Sequence, residues 1–415
     1  MNAILNIRAV ALFLGWMASP LTTVRADIEV RVSVKYIHTV GSATPPSGNI
    51  GTPAGFAQEI TSGNQILAAT GRGYSLKVVE YSDIQPPVPA GGPVNVTGGT
   101  TRNSATVTCG NTTGLVDCMA VQGTGIPSDT VILSFVPNTS FTMSANATAT
   151  NASTAITASY PANYWFTLPA RAKRQLIETA ALASQGVWGW NASAINIYIN
   201  NSTSGSCSFV GQGSSIALGG LVEPGTVLHE VGHLFNLRHT HAGDYTNNTD
   251  PEGGAFTLAD LQDGDALDET TLDNPNLKYA DQLSVALFDH DYAAATIYER
   301  ATVDSAFQNV MSYHNEFTLL QVQMDIWTLN ANGPRLFLCN GRTWFVASGP
   351  GGNDNASGAN SGVPLRTIAG AFSHVSTAND VVLLNTGSYA APTGGTMTTP
   401  CTLRATRGEV TVHFP

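Results

Sequence analysis

Residues 228–239 have the sequence LHEVGHLFNLRH. Apolar residues recur here at the spacing of one helical face, so the segment predicts an α-helix that packs this face on a core. His229 and His233 are four residues apart, which places both imidazoles on one side of the helix, away from the apolar face. Neutral imidazoles that converge on one point are ligands that zinc prefers in proteins.

The predicted helix has to end soon after His233 for a third histidine to reach the same point. Asn236 stands where the chain must turn, and asparagine is second only to glycine in tolerating the left-handed conformation of such a turn. The turn would bring back His239 as the third metal ligand. Glu230 follows the first ligand but is turned aside, where it can reach a metal-bound water without binding the metal.

The pattern H-E-x-x-H-x-x-N-x-x-H resembles that of the metzincin zinc proteases, which usually carry glycine at the position of Asn236. The resemblance implies an α+β domain with a mixed sheet and an active-site helix. It also implies a tight turn with a methionine beneath the zinc, and Met311 in the sequence QNVMSY fills that role. In some metzincins the tyrosine at the position of Tyr313 binds the metal or stabilises the oxyanion, whereas a purely structural tyrosine is the alternative.

An acidic loop separates the two motifs in a chain of which only 11% of residues are charged. Residues 264–270, GDALDET, are similar to the G-D-x-x-x-D-T pattern of one metzincin family, the pappalysins, and depart from it at Glu269. Hard oxygen ligands on an irregular loop suit Ca²⁺, so Asp265, Asp268 and Thr270 are candidate calcium ligands. A solvated acidic loop that faces the substrate is the alternative.

The first 26 residues have the features of a signal peptide. Arg8 precedes an apolar run too short to span a bilayer, and Ala26 is a small residue suited to cleavage. We therefore expect a secreted, extracellular protein. No other stretch approaches membrane-spanning length, so we expect no membrane span.

The expected catalytic domain comprises residues 27–84 and 161–333. Residues 28–37 and 74–81 have strand patterns, and a helical pattern lies between them, which predicts a βαβ unit. In metzincins the strand just before the active-site helix is the sheet edge that receives the substrate backbone. Residues 214–218 are the candidate for that strand.

Two β-rich segments accompany this domain. Residues 85–160 are rich in Thr, Ser, Asn and Gly and predict an inserted all-β module, with short alternating runs at 104–109, 117–122, 130–136 and 139–144. Residues 334–415 resemble the cap and first rungs of a right-handed parallel β-helix, with a small β-sandwich as the alternative. Either segment could contact a surface or a glycan.

The net charge excludes one class of partner, and the cysteine content suggests disulfides. The net charge is −11 with no basic run, which argues against nucleic-acid binding. Five cysteines in an oxidising compartment allow two disulfides. Cys109–Cys118 is the preferred pair and Cys339–Cys401 the second, which leaves Cys207 over.

The function expected from these features is that of a secreted zinc endopeptidase acting on a protein or peptide substrate. His229, His233 and His239 would hold a zinc ion that lowers the pKa of its water to roughly 7. Glu230 would act as the general base. The alternative is a surface adhesin or glycan-binding protein with a vestigial protease domain, which the two β-rich segments favour.

Overall fold

The computed structural model describes residues 4–8, 28–128, 130–202, 211, 213–241, 256–267, 270, 272–314, 318–392, 399, 401–405 and 409–413. Its central sheet contains β2 (Ile28–Ile37), β3 (Tyr74–Ile84), β10 (Ile195–Asn200) and β11 (Ser215–Gly219), in the order β11-β10-β2-β3. All three pairings are parallel. Parallel neighbours need crossover connections, and helix α1 (Pro53–Ala69) supplies the one between β2 and β3. The βαβ prediction is confirmed, and the mixed sheet is wrong for these four strands.

Helices cover both faces of this sheet. α1, α4 (Thr226–Leu234) and α7 (Gln321–Asn332) share a core with one set of alternating strand residues, which includes Val32 and Val34. On the opposite face, α2 (Tyr164–Thr167) and α3 (Ala170–Ala183) pack with Tyr198 and Ala217. Two further helices, α5 (Ala280–Phe288) and α6 (Ile297–Phe307), contribute to a separate apolar cluster. The described part of residues 28–84 and 161–333 is therefore a three-layer α/β unit.

The inserted segment is all-β, as predicted. Its strands are β4 (Val94–Thr100), β5 (Thr106–Cys109), β6 (Ala120–Gly123), β7 (Ile132–Val136), β8 (Ser140–Met143) and β9 (Asn151–Ser159), in the order β6-β9-β4-β5-β8-β7. Every pairing is antiparallel. Ile132 N donates to Met119 O at 2.9 Å, and Ala120 bridges to Val131. The two outer strands of this order, β6 and β7, therefore meet, and the sheet closes on itself. The closed sheet encloses its own apolar core.

The C-terminal segment is built from parallel strands, which agrees with the predicted β-helix rungs and not with a sandwich. β12 (Thr343–Val346), β13 (Val381–Leu384) and β15 (Thr402–Ala405) form one sheet. β14 (Gly387–Ala390) pairs in parallel with β16 (Glu409–His413), and α8 (Ile368–Phe372) lies between β12 and β13 in the chain. Phe345, Val381 and Leu383 belong to the core of the central sheet, so this segment packs directly on the α/β unit.

Of the predicted signal peptide, only residues 4–8 are described. They form strand β1 (Ile4–Arg8), which pairs antiparallel with β16. Cleavage after Ala26 stays a prediction. Within the described residues, no helix has the length and apolar character needed to cross a membrane.

Both predicted disulfides are wrong for the described cysteines, which form no disulfide. The members of each pair lie in different apolar clusters. Cys109 packs in the apolar core of the inserted module. Cys118 packs in the apolar cluster on the face of the central sheet that α2 and α3 cover. Cys339 lies in the central core, where burial raises the pKa of its thiol to about 12, whereas Cys401 packs on the C-terminal strands. Cys207 lies outside the described residues.

Candidate metal centre

Helix α4, which carries His229 and His233, ends as the sequence predicts. Asn236 adopts the left-handed conformation with a φ of 69°. Leu237 N donates to Gly232 O and Asn236 N donates to His233 O, each at 3.0 Å, which together form a Schellman motif. These bonds satisfy the last carbonyl groups of the helix and reverse the chain, so that His239 returns towards the histidines on α4.

The three predicted histidines converge. His239 Nε2 lies 3.1 Å from His229 Nε2 and 3.0 Å from His233 Nε2. Nitrogens on a tetrahedral zinc with bonds of about 2.1 Å are about 3.4 Å apart, so the observed spacing is close to that of a metal site. Among the described residues, this is the one group of three or more His, Cys, Asp or Glu side chains arranged to hold a metal ion.

The other ring nitrogens fix the tautomers of the two helical ligands. His229 Nδ1 lies 2.7 Å from Val310 O, and His233 Nδ1 lies 2.8 Å from Leu237 O. A carbonyl oxygen only accepts, so each Nδ1 must carry a hydrogen, and in the neutral imidazole each Nε2 then keeps its lone pair. Two lone pairs aimed at one point repel each other unless a cation or a proton lies between them. The donor set therefore fits a cation, and backbone carbonyls are common partners of metal-bound histidines.

The predicted methionine turn lies directly under α4. Met311 is fully buried, and a Cβ placed on Gly232 would come 2.7 Å from Met311 Sδ. The same turn contributes Val310 O to His229, and Met311 O accepts from Thr240 N at 3.2 Å. The turn thus contacts His229 and also Thr240, the residue that follows His239.

A pair of buried amides holds this turn in place. Asn309 Nδ2 donates to Gln323 Oε1 at 3.0 Å, and Gln323 Nε2 donates to Asn309 Oδ1 at 3.1 Å. Asn309 Oδ1 also accepts from Met311 N at 2.9 Å. The turn is therefore anchored to α7, which packs on the same core as α4.

Tyr313 lies among the histidine rings. Its ring centroid is 4.8 Å from that of His239 and 5.8 Å from that of His229. His241, which is almost completely buried, stacks on His239 at 4.9 Å and contacts Tyr313 at 4.5 Å. The Tyr313 ring therefore lies beside the histidines within a cluster of aromatic rings, and its part in catalysis stays a prediction.

Two buried glutamates contact the helix that carries the histidines, one within it and one at its N-terminus. Glu230 is only 5% exposed and follows His229 directly in α4. Glu59 of α1 accepts a hydrogen bond from Gly225 N at 3.1 Å, at the N-terminus of α4. Burial raises the pKa of Glu59, and hydrogen bonds from the backbone of Gly225 and Val227 oppose that rise. A carboxylate at this end of a helix is favoured by the unpaired N–H groups and the helix dipole.

The structure brings together two of the three predicted calcium ligands. Asp265 Oδ1 accepts from Thr270 Oγ1 at 2.6 Å and from Leu267 N at 3.2 Å. Asp265 Oδ2 is buried and accepts no hydrogen bond from the described part of the chain. Burial raises the pKa of this carboxyl to about 6, against the effect of its hydrogen bonds. Asp268 lies outside the described residues, so the calcium site stays a prediction.

The glycine of the same loop lies against the third ligand. Gly264 N donates to Thr240 O at 2.9 Å, and a Cβ on Gly264 would collide with the carbonyl oxygen of His241 and approach that of His239 at 2.6 Å. The close approach of the two backbones needs a residue without a side chain. The GDALDET segment therefore packs against the chain segment that contains His239 and supports it.

The predicted substrate-binding edge is not accessible. β11 is the outer strand of the sheet in the described residues, as predicted, but all its residues are buried. Arg174 Nη1 donates to Ser215 Oγ at 3.0 Å and lies 3.3 Å from Ser215 O. An extended peptide needs unpaired and exposed backbone groups. The prediction that residues 214–218 receive the substrate backbone is therefore wrong.

Three residues of this site were not predicted from the sequence: His241, Glu59 and Asp273. His241 follows the third ligand by two residues, a spacing that could have drawn attention to it. Asp273 is one of many acidic residues in its loop, and Glu59 precedes the ligands by a long stretch of chain. Only the tertiary structure shows that both are buried beside the site.

Comparison of the chain with protein-family models, curated proteins and solved structures found no match. The resemblance to metzincins therefore rests on the motifs and on the geometry of the three histidines.

Proposed function

We propose that this chain is a zinc-dependent endopeptidase. The observation that carries the proposal is the convergence of three Nε2 atoms, two of which keep their lone pairs in the neutral imidazoles because Nδ1 donates to a backbone carbonyl. When bound, zinc supplies a Lewis acid that acidifies water and polarises a carbonyl group. Trigonal sets of three histidines with one open position are typical of catalytic rather than structural zinc sites.

Glu230 provides the base. Its carboxylate takes a proton from the attacking water and delivers it to the amine that leaves when the peptide bond breaks. Its place after His229 in α4 and its burial support this role, because a carboxylate removed from bulk water interacts strongly with nearby charge. Tyr313 donates its phenolic hydrogen to the oxygen that gains negative charge, and its position beside His239 supports that assignment.

Two finer proposals accompany this one. Calcium binds the loop that contains Asp265, because this buried carboxylate keeps one oxygen without a hydrogen bond to the described residues. The chain is exported, because residues 1–26 combine a basic residue, a short apolar run and a small residue before Asp27.

The test compares wild-type protein with the Glu230→Gln variant. We expect the variant to keep one zinc per chain and to lose hydrolysis of a mixed peptide library by about 10²–10⁴-fold, the usual contribution of a general base. Glu299→Gln is the matched control, since Glu299 lies in the first turn of α6 and caps that helix. Zinc content measured by atomic absorption separates loss of metal from loss of the base.

Wild-type turnover by Glu230→Gln would overturn the assignment of the base. A wild-type protein that binds zinc tightly but cleaves no peptide in the library would instead favour the adhesin alternative. The closed β-sheet of residues 94–159 and the parallel strands of the C-terminal segment would then be the parts to test for binding.

A further inference from the structure

Asp273 is a buried carboxylate that connects two segments of the metal centre. Its Oδ2 accepts from Thr240 Oγ1 at 2.6 Å. Its Oδ1 accepts from His314 Nε2 at 2.8 Å and from Asn274 N at 2.7 Å. Only 1% of Asp273 is exposed, so these bonds form out of contact with water and are strong.

The two side-chain partners of Asp273 are direct neighbours of site residues. Thr240 follows His239, and His314 follows Tyr313. The His314 ring also stacks on Phe307 at 4.7 Å, which holds it in one orientation. One carboxylate thus links the segment that carries the third ligand to the segment that carries the methionine turn and the tyrosine.

Asp273 is itself held firmly. Its backbone forms a two-way bridge with Gln262, in which Gln262 N donates to Asp273 O at 2.8 Å and Asp273 N donates to Gln262 O at 2.9 Å. Burial alone would raise the pKa of Asp273, but the hydrogen bond and charge of His314 and the hydrogen bond of Thr240 outweigh it and lower the pKa. The group is therefore ionised at neutral pH, which makes both side-chain bonds charge-assisted.

The third ligand needs such support more than the other two. His229 and His233 are carried by one helix that packs on the central core, whereas His239 follows the turn at Asn236. In the described structure its neighbour Thr240 is tied by its N–H to Met311 O, by its carbonyl to Gly264 N, and by its hydroxyl to Asp273. Among these three ties, only the last one depends on side chains.

We propose that Asp273 is a positioning residue for the metal centre. By accepting hydrogen bonds from Thr240 and His314, it holds the adjacent residues His239 and Tyr313 in place. The inference rests on the proposed zinc site, but not on peptide hydrolysis. A carboxylate that orients ligands from outside the metal shell is generally needed for full metal affinity, and its loss typically costs 10–100-fold.

The experiment measures zinc affinity by competition with a chromophoric chelator in the full chain. We expect Asp273→Asn to bind zinc 10–100-fold more weakly than wild type, because the amide cannot accept from both Thr240 and His314 with full charge. Thr240→Val keeps the shape of the side chain and removes one donor, so it should weaken zinc binding in the same direction. Thr240→Ser keeps the hydroxyl and should bind zinc within about twofold of wild type if the hydroxyl is what matters.

Asp304→Asn is the matched control, since Asp304 also accepts side-chain hydrogen bonds, from Tyr292 and Gln308. It should leave zinc affinity unchanged. Thermal unfolding of the metal-free proteins shows whether each variant is folded at the temperature of the titration. A merely structural role would lower the unfolding temperature and leave the zinc affinity of the folded protein intact.

Wild-type zinc affinity in folded Asp273→Asn would overturn the inference, and so would wild-type affinity in Thr240→Val if Asp273→Asn does not fold. These outcomes leave the proposed function standing if wild-type protein hydrolyses peptides. A wild-type protein that binds zinc without hydrolysis removes the proposed function alone, because the variants are still compared by zinc affinity. Absence of zinc binding by wild type would overturn both.

Discussion

Gly232 lies between the two helical ligands and faces the methionine turn, so replacing it with alanine tests how that turn supports the site. The added Cβ would lie 2.7 Å from Met311 Sδ and 3.5 Å from Met311 Cε. Nonbonded heavy atoms pack at about 3.5–4.0 Å, so the sulfur has to move by about 1 Å. Met311 is fully buried and Asn309 anchors its backbone N–H, so the side chain has little space to move into.

The magnitude follows from two opposing contributions. Alanine stabilises a helix interior by about 1 kcal/mol relative to glycine. Overpacking of a filled core costs about 1–3 kcal/mol. We therefore expect Gly232→Ala to lower the free energy of unfolding by about 0–2 kcal/mol. It should also weaken zinc binding, because Val310 O and Met311 O hold His229 and Thr240.

Gly63 in α1 is the matched control. It is also a buried helical glycine, but its added Cβ would meet Leu228 Cβ at 3.4 Å and Leu76 Cδ1 at 3.6 Å, which is ordinary contact. Gly63→Ala should therefore gain about 1 kcal/mol from helix propensity. The two variants should differ by about 1–3 kcal/mol in urea unfolding of the metal-free protein.

A double-mutant cycle with Met311→Ala identifies the source of the cost. If the clash with the sulfur is responsible, the combined variant should show a coupling energy of about 0.5–3 kcal/mol. The reasoning is refuted if Gly232→Ala gains as much stability as Gly63→Ala and binds zinc like wild type.

Three further predictions concern the turn, the acidic loop and a buried lysine. Asn236→Val should cost about 1–2 kcal/mol because of its left-handed backbone, whereas Asn236→Gly should be nearly neutral; equal thermal stability of the two variants would contradict this. Burial raises the pKa of Asp265 in the folded protein to about 6 from its ordinary value of 3.8, so stability should fall as pH rises through that range and stay lower above it. Asp265→Asn should abolish that fall. At pH 7, calcium should raise the melting temperature of wild type and leave that of the variant unchanged. A melting temperature of wild type that EGTA does not change would remove the calcium proposal. Burial lowers the pKa of Lys35 to about 8 against the attraction of Glu80, so stability should rise from pH 8 towards 10.5, and a pH titration of Lys35→Met should lack that rise.

The sequence was sufficient for the parts of the site that local pattern determines. The spacing of His229 and His233 and the turn at Asn236 depend on helix geometry and on the conformational range of asparagine, and the structure agrees with both. Met311 was placed by its motif, and it lies under α4 as the resemblance implied. The βαβ unit was also predicted from the alternation of its strands.

Two strands of the inserted module were not predicted. β4 contains two adjacent glycines, and β9 consists mainly of small residues, so neither has the bulky alternation that signals a strand. They form because they pair with each other in a closed sheet, which satisfies their backbone groups whatever their side chains.

The failed disulfide and edge-strand predictions have a tertiary cause. Cys109 and Cys118 are near in sequence, but the chain between them carries the two thiols into different cores. β11 has the position of an edge strand, but its residues are buried and Arg174 of α3 donates to Ser215. The distance between two residues in the sequence does not show which other parts of the chain pack on each of them. The order of strands in a sheet does not show it either.

The way the three ligands are held predicts where variation in this site should have most effect. The imidazoles of His229 and His233 are oriented by the backbone carbonyls of Val310 and Leu237, which no single side-chain substitution removes. The segment of His239 depends on side chains at several points, among them the left-handed Asn236, the missing Cβ of Gly264 and the bond from Thr240 to Asp273. Substitutions outside the ligands should therefore weaken the metal centre first by loosening His239. The two helical ligands should keep their geometry as long as α4 stays folded and the methionine turn keeps its place, which Gly232→Ala is expected to disturb.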